Sequence, residues 1–295
     1  MLIKNTKNKI TETPQTNINI SKEYLKRVVE VISIPRHYQL ERYNNEKVKR
    51  WIKNEFESIG LDCAYQGEYG NVVAVPKKYK TNFSIIVGAH FDSVPKSPGA
   101  DDNASAVAGM LAVAKTLQIY GDLPIAYVAF NREEDGLLGS CDYVESLLPE
   151  IKQNIKCCHI LEMIGFCSHE PHSQSSPNGL PIKISDKGDF IAVIANRYSN
   201  KLIKPLIKTA NKFEPNLPVK TLKVFAGVEK FFPHLLRSDH APFWQEKIPS
   251  LMWTDTSEFR NPNYHQTTDT PETLDYDFMQ KVSRLVAYTI MQQLG

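Results

Sequence analysis

SIIVGAHFDS at residues 84–93, IAYVAFNREE at 125–134 and CCHILEM at 157–163 follow one plan: an apolar run that ends in a histidine or an acid. Short apolar runs bounded by polar turn residues read as strands buried on both faces. Helices are expected between them, at Ala104–Tyr120 and Leu138–Leu147. Such alternation predicts an α/β fold, a three-layer α/β/α sandwich around a central mixed, mostly parallel sheet. Ligands bind such sheets outside the carboxyl ends of the strands. Three of those ends carry His90 with Asp92, the pair Glu133 and Glu134, and Glu162, so metal-capable residues gather on one rim.

Working outward, residues 1–20 are polar and lack periodic apolar positions, which predicts a loose, disordered arm before a single domain over residues 21–295. Tyr24, Leu25, Val28, Val29 and Ile32 fall on one helical face that Pro35 stops, and a second helix is expected from Glu41 to Ile59 with Gly60 as its cap. Strands are expected at Asp62–Gln66, Asn71–Val75, Phe190–Ala195 and Ser250–Thr254, and helices at Asn200–Phe213 and Glu272–Leu294. The Ser-, Pro- and His-containing loop from His169 to Pro181 is a candidate wall or lid.

Composition narrows the function classes. The chain has 295 residues, 42% hydrophobic, enough for one large core. Thirty-five basic against thirty-three acidic residues leave +2, without a basic run, so no nucleic-acid or anionic-membrane partner is expected. No apolar stretch reaches the roughly 20 residues that span a bilayer. The opening MLIKNTKNKITETPQ has lysines but no apolar segment before a cleavage site. A cytoplasmic location is expected for the chain as it stands, or a secreted one if a signal peptide has been removed. The five cysteines, odd in number and including adjacent Cys157 and Cys158, do not suggest a disulfide framework.

Individually the chemical signals are weak. The H-x-D of HFDS is more often a satisfied core histidine, although an aspartate two residues along can support a ligand imidazole from the same side of a strand. PGADDNAS at 98–105 reads as a helix cap with an acidic first turn. The paired glutamates of NREEDGLLGS (131–140) change the odds, because adjacent carboxylates directly after a buried strand need a cation or a proton. LEMIGF (161–166) repeats the arrangement with Glu162, and NPNYHQTTDTPETLD (261–275) adds a loop histidine.

Taken in order, these five motifs resemble the two-zinc aminopeptidases of clan MH, whose relatives include glutamate carboxypeptidase II and the glutaminyl cyclases. The resemblance runs from about Ser21 to the end of the chain. It implies that His90, Asp102 and Glu162 hold one zinc, and that Asp102, Glu134 and His265 hold the other, with Asp102 bridging. Spacing alone does not choose Asp102 over Asp101. The resemblance further implies Glu133 as general base, Asp92 as partner of the His90 ring, Tyr264 as an oxyanion-stabilising hydroxyl, and a cis peptide after Asp102. Two Zn2+ per chain and a peptide with a free N-terminus are the implied cofactor and substrate. Glu162 departs from the aspartate of other members, and Ala106 from a common glycine; neither removes a ligand.

Two competing readings are a glutaminyl-peptide cyclotransferase and a non-catalytic binding homologue. The direct EEDGLLGS continuation speaks for the peptidase, because cyclase-type relatives carry an insertion after the paired glutamates. The complete ligand set speaks against the binding module. SDHAPFW at 238–244 places Asp239 or His240 either at the site or as a helix cap. Phe225, Phe231, Phe232, Phe243 and Trp244 are either a specificity pocket or core.

Overall fold

Nine strands and eight α-helices make up the computed structural model, which describes residues 2–5, 17–177, 185–225 and 227–295. The strands are β1 (Leu2–Asn5), β2 (Asp62–Gln66), β3 (Asn71–Val75), β4 (Ile85–His90), β5 (Ile125–Phe130), β6 (Cys157–Glu162), β7 (Ile191–Ala195), β8 (Val219–Lys223) and β9 (Ser250–Thr254). The helices are α1 (Lys22–Ile32), α2 (Arg42–Ser58), α3 (Ala106–Gln118), α4 (Leu138–Ser146), α5 (Pro149–Asn154), α6 (Ile203–Phe213), α7 (His240–Gln245) and α8 (Tyr276–Leu294).

One mixed sheet runs in the order β1-β8-β7-β9-β6-β4-β5-β3-β2. Its centre, β9-β6-β4-β5, is parallel, whereas β3 pairs antiparallel with β5 and β7 antiparallel with β9. The central strands are buried at every position, and their two-residue alternation divides the core. Ile85, Val87, Ala89, Ile125, Tyr127 and Ala129 face α1, α2, α3 and α8; Ile86, Ala126, Val128, Phe130 and Ile160 face α4 and α7. Helices on both faces therefore leave only the strand ends open to a ligand. Gly88 is required within β4, because a Cβ there would lie 2.6 Å from the Phe130 ring.

Helix starts follow their capping chemistry. Ser21 Oγ accepts the Tyr24 N–H at 3.0 Å, and Asp275 caps α8 through the N–H groups of Asp277 and Phe278. Gly60, with φ +86°, follows α2 in the left-handed conformation expected of it.

The structure departs from expectation at several places, among them α5, which has no counterpart in the sequence reading. Leu2–Asn5 forms an edge strand antiparallel to β8, and Ile18 and Ile20 are buried, so the expected loose arm does not extend over all of residues 1–20. The Ile18 N–H donates to Tyr288 Oη at 3.0 Å, docking this segment on α8; residues 6–16 lie outside the described part. Strand β8, whose lysines mask its apolar alternation, has no counterpart in the sequence reading. The expected helix from Ala104 starts only at Ala106, after an irregular turn over Ala100–Ser105. The last helix starts at Tyr276, after a short turn over Pro271–Thr273.

Candidate metal centre

The parallel strands deliver the first donors. His90 ends β4, Glu162 ends β6, and Glu133 and Glu134 lie in the turn after β5. Asp102 comes from the irregular turn before α3, and its peptide bond to Asn103 is cis. His265, with φ +59°, comes from the loop between β9 and α8.

These side chains form two adjoining sets of metal-capable donors, His90 with Asp102 and Glu162, and Asp102 with Glu134 and His265. His90 Nε2 lies 3.4 Å from Asp102 Oδ1 and 3.5 Å from Glu162 Oε2. His265 Nε2 lies 3.1 Å from Asp102 Oδ2 and 3.4 Å from Glu134 Oε2. Two donors bound to one tetrahedral ion at about 2.0–2.2 Å sit roughly 3.3–3.6 Å apart, so these spacings suit a shared cation. Asp102 turns one oxygen to each histidine. Its neighbour Asp101 points elsewhere, accepting the Gly165 N–H at 2.9 Å and Asn261 Nδ2 at 2.7 Å.

Hydrogen bonds from distant segments hold this arrangement. Asp269 accepts the backbone N–H groups of Asp101 and Asp102 at 2.9 and 3.1 Å. Asn103 bridges to β6 by donating to the Leu161 carbonyl and accepting the Met163 N–H. Ser238 Oγ donates to Glu162 Oε2 at 2.7 Å. The fully buried Arg36 donates to the carbonyls of Phe91, Pro98 and Gly99, clamping the loop that leads from His90 to Asp102. Gly99 fits under that clamp with φ +58°, where a Cβ would meet the Asp102 carbonyl at 2.2 Å. Asp92 lies 3.4 Å from His90 Nδ1, an ion-pair separation, while its oxygens accept the N–H groups of Glu133 and Glu134 at 3.2 Å each.

The electrostatics call for a cation. Burial pushes Glu133 well above the usual carboxylate range against the pull of His90, with Glu162 and Glu134 adding to the rise. Burial and then Asp102 raise Glu134 to about 7. Burial opposes the charged form of His90, yet Glu162 and Glu133 hold its pKa well above the ordinary value. His265 is raised to about 10 by Asp102 and Glu134, again against burial. His265 Nε2 and Glu134 Oε1 are buried without a hydrogen-bond partner. Unpaired buried donors and excess buried acid are what a divalent cation relieves.

A cavity of about 870 Å³ opens from these carboxylates. Asp102, Glu133, Glu134, Glu162, Tyr264 and His265 line one end, and Phe190, Ile194, Leu222, Leu235 and Met252 supply apolar wall. Gln174, Ser175 and Pro177 from the expected wall loop also line it; residues 178–184 lie outside the described part. The five aromatics considered for a specificity pocket are absent from this lining. Phe243 and Trp244 are buried in the core, whereas Phe225 and Phe231 are exposed. Of SDHAPFW, neither Asp239 nor His240 lines the cavity. His240 is buried, donates from Nε2 to the Leu235 carbonyl at 2.9 Å, and is lowered to about 4 by burial. Asp239 makes no side-chain cap but sits buried within electrostatic reach of His90 and Glu162, raised to about 7 by burial. Ser238, Arg36 and Asp269 were not singled out from sequence. Ser238 and Asp269 stand inside quoted motifs, SDHAPFW and NPNYHQTTDTPETLD, whereas Arg36 carries no local signal.

Fold and donor set together define a class: an α/β/α protein whose sheet rim presents two adjoining sets of metal-capable donors. The chain matches peptidase family M28 over residues 71–290 and belongs to that family. It is 31% identical to the uncharacterized protein YfbL of Escherichia coli, over 92% of this chain and 88% of that protein. It is 30% identical to aminopeptidase YwaD of Bacillus subtilis, over 75% of this chain but only 44% of that protein. Among solved structures, BSAP, a zinc aminopeptidase from Bacillus subtilis, aligns with a TM-score of 0.56 at 27% identity, over 75% of this chain and 49% of that one. A Porphyromonas gingivalis glutaminyl cyclase shares the fold at a TM-score of 0.66 and 18% identity, over 92% and 99% of the two chains.

Proposed function

We propose that the chain is a two-zinc aminopeptidase that removes N-terminal residues from peptides. The observation that carries this reading is the position of Asp102, one carboxylate with an oxygen toward each histidine, 3.4 Å from His90 and 3.1 Å from His265. The donor set suits zinc, with imidazole and carboxylate ligands in two groups of three, each leaving a position open. His90, Asp102 and Glu162 would hold one ion, and Asp102, Glu134 and His265 the other. Two zinc ions would supply Lewis-acid activation of water and of the scissile carbonyl.

The remaining chemistry belongs to the protein. Glu133 lines the cavity without belonging to either donor group, and as general base it takes the proton of the attacking water and delivers it to the leaving amine. Tyr264 donates a hydrogen bond to the carbonyl oxygen as negative charge builds on it. Asp92 aligns the turn that carries both glutamates. The apolar cavity wall receives the N-terminal side chain.

Zinc content per chain, measured alongside hydrolysis of a panel of aminoacyl-anilides and cyclisation of a glutaminyl peptide, tests the reading. Two zincs with anilide turnover are expected. Cyclisation without anilide hydrolysis would establish the cyclotransferase instead, and absence of both activities in the zinc-loaded protein would leave a binding homologue.

A further inference from the structure

Arg237 stands in the cavity wall, next in the chain to the Ser238 that holds Glu162. Its Nη2 donates to the Tyr264 hydroxyl at 2.9 Å. Its Nη1 binds Glu258 and lies 3.3 Å from His234 Nδ1, so the guanidinium is oriented from the side away from Tyr264. The Tyr264 ring is itself fixed, stacked on the His265 imidazole with centroids 3.7 Å apart and planes 23° from parallel. What remains free is the direction of the phenol proton.

A guanidinium has five donors and no acceptor, so Tyr264 can only accept from it. With Arg237 at one side of the phenol oxygen, the O–H is turned away from the guanidinium. We infer that Arg237 is a positioning residue, which by donating to the Tyr264 hydroxyl keeps the phenol proton available to the carbonyl oxygen of the bound substrate. No proton leaves Tyr264 in this step; the hydroxyl donates to the oxygen and stays a phenol. This rests on the oxyanion role proposed for Tyr264. Arg237 and Glu258 have side chains 43% and 29% exposed, and an ion pair so placed contributes little to folding. The pair's effect therefore belongs in turnover.

A double-mutant cycle tests it, using Arg237→Ala, Arg237→Lys, Tyr264→Phe and the Arg237→Ala/Tyr264→Phe double variant on a leucyl-anilide, each checked for zinc content and thermal unfolding. Arg237→Ala is expected to lower kcat by about tenfold or more with KM within about twofold, because an interaction made only in the transition state is weakened. The double variant is expected to be no slower than Tyr264→Phe alone. Inhibition supplies a readout apart from turnover: Arg237→Ala should weaken a tetrahedral aminoalkyl boronic acid by the same factor as kcat, and leave binding of free leucine unchanged.

Additive losses in the double variant, or a rise in KM at constant kcat, would overturn the inference and leave the aminopeptidase reading intact. Full activity of Tyr264→Phe would remove the oxyanion role and this inference with it. Absence of anilide turnover in the zinc-loaded wild type would remove the aminopeptidase reading itself. Should Arg237→Ala fail to fold, Arg237→Met carries the same cycle, since it keeps much of the stem and removes every donor, while Arg237→Lys, which can still donate to the phenol oxygen, is expected to keep part of the turnover.

Discussion

Asp92 Oδ2 accepts the backbone N–H of Glu134 at 3.2 Å, while its Oδ1 accepts that of Glu133. One buried carboxylate thus sets the turn that aims both glutamates, and its Oδ1 also lies 3.4 Å from His90 Nδ1. Asp92→Asn places an amide donor against one of those N–H groups. Turnover is expected to fall by about ten- to a hundredfold, with weaker zinc retention, as is usual when a partner behind a metal ligand is lost. Steady-state kinetics and zinc analysis check this; unchanged kinetics would remove Asp92 from the machinery.

Glu133 and Glu134 are adjacent, but only Glu134 belongs to a donor group with a histidine. Glu133→Gln keeps side-chain shape and loses only the basic oxygen, so both zincs are expected to remain while kcat drops by roughly two to four orders of magnitude. Glu134→Gln is expected to lose zinc from the His265 side and to unfold more easily, because an amide is the poorer ligand. Zinc loss in the first variant and retention in the second would exchange the two roles.

Zinc stabilisation should grow with pH. Glu134, Asp239 and Asp269 all rise to about 7 in the fold, chiefly through burial, above their ordinary values near 4. A carboxyl raised in the folded state binds its proton more tightly there than in the unfolded chain. Its stabilising contribution is therefore complete below about pH 4 and is lost as pH rises toward 7. The zinc-free protein should weaken over that window, and a bound cation should offset the loss. Thermal unfolding with chelator and with excess zinc at pH 5 and 7.5 reads the difference. A zinc-induced rise in Tm that is equal or larger at pH 5 would contradict the expectation.

Arg36 is completely buried and, although burial lowers it to about 10, it stays charged at neutral pH among Asp102, Asp92, Asp269 and Glu134. Arg36→Met leaves the Phe91 and Pro98 carbonyls without their Arg36 donor and the Gly99 carbonyl with the Ala104 N–H alone, and it removes a buried positive charge from beside the acidic cluster. A loss of about 3 kcal/mol or more is expected, with lowered zinc retention. Arg36→Lys should rescue little, because one ammonium does not reach the same set of carbonyls. Urea unfolding decides it, and an unchanged midpoint would refute the clamp.

The central strands were legible in the residues themselves. Ile125–Phe130 and Ser250–Thr254 form at the bounds their composition predicts, and His90 and Glu162 end β4 and β6. A parallel strand covered on both faces must be apolar throughout, so a charged side chain becomes tolerable only where the strand emerges. That rule placed His90, Glu133, Glu134 and Glu162 on one rim. Tertiary structure alone decided what faces what across that rim. Asp101 and Asp102 are neighbours of the same type, and the partners Gly165, Asn261 and Asp269 turn one away and fix the other between two histidines. The pairing of β1 with β8 joins distant segments, and Arg36 and Arg237 reach carbonyls and a hydroxyl far along the chain. Burial periodicity is written in local spacing, whereas a hydrogen bond between distant segments leaves no periodic trace and exists only once packing has brought its partners together.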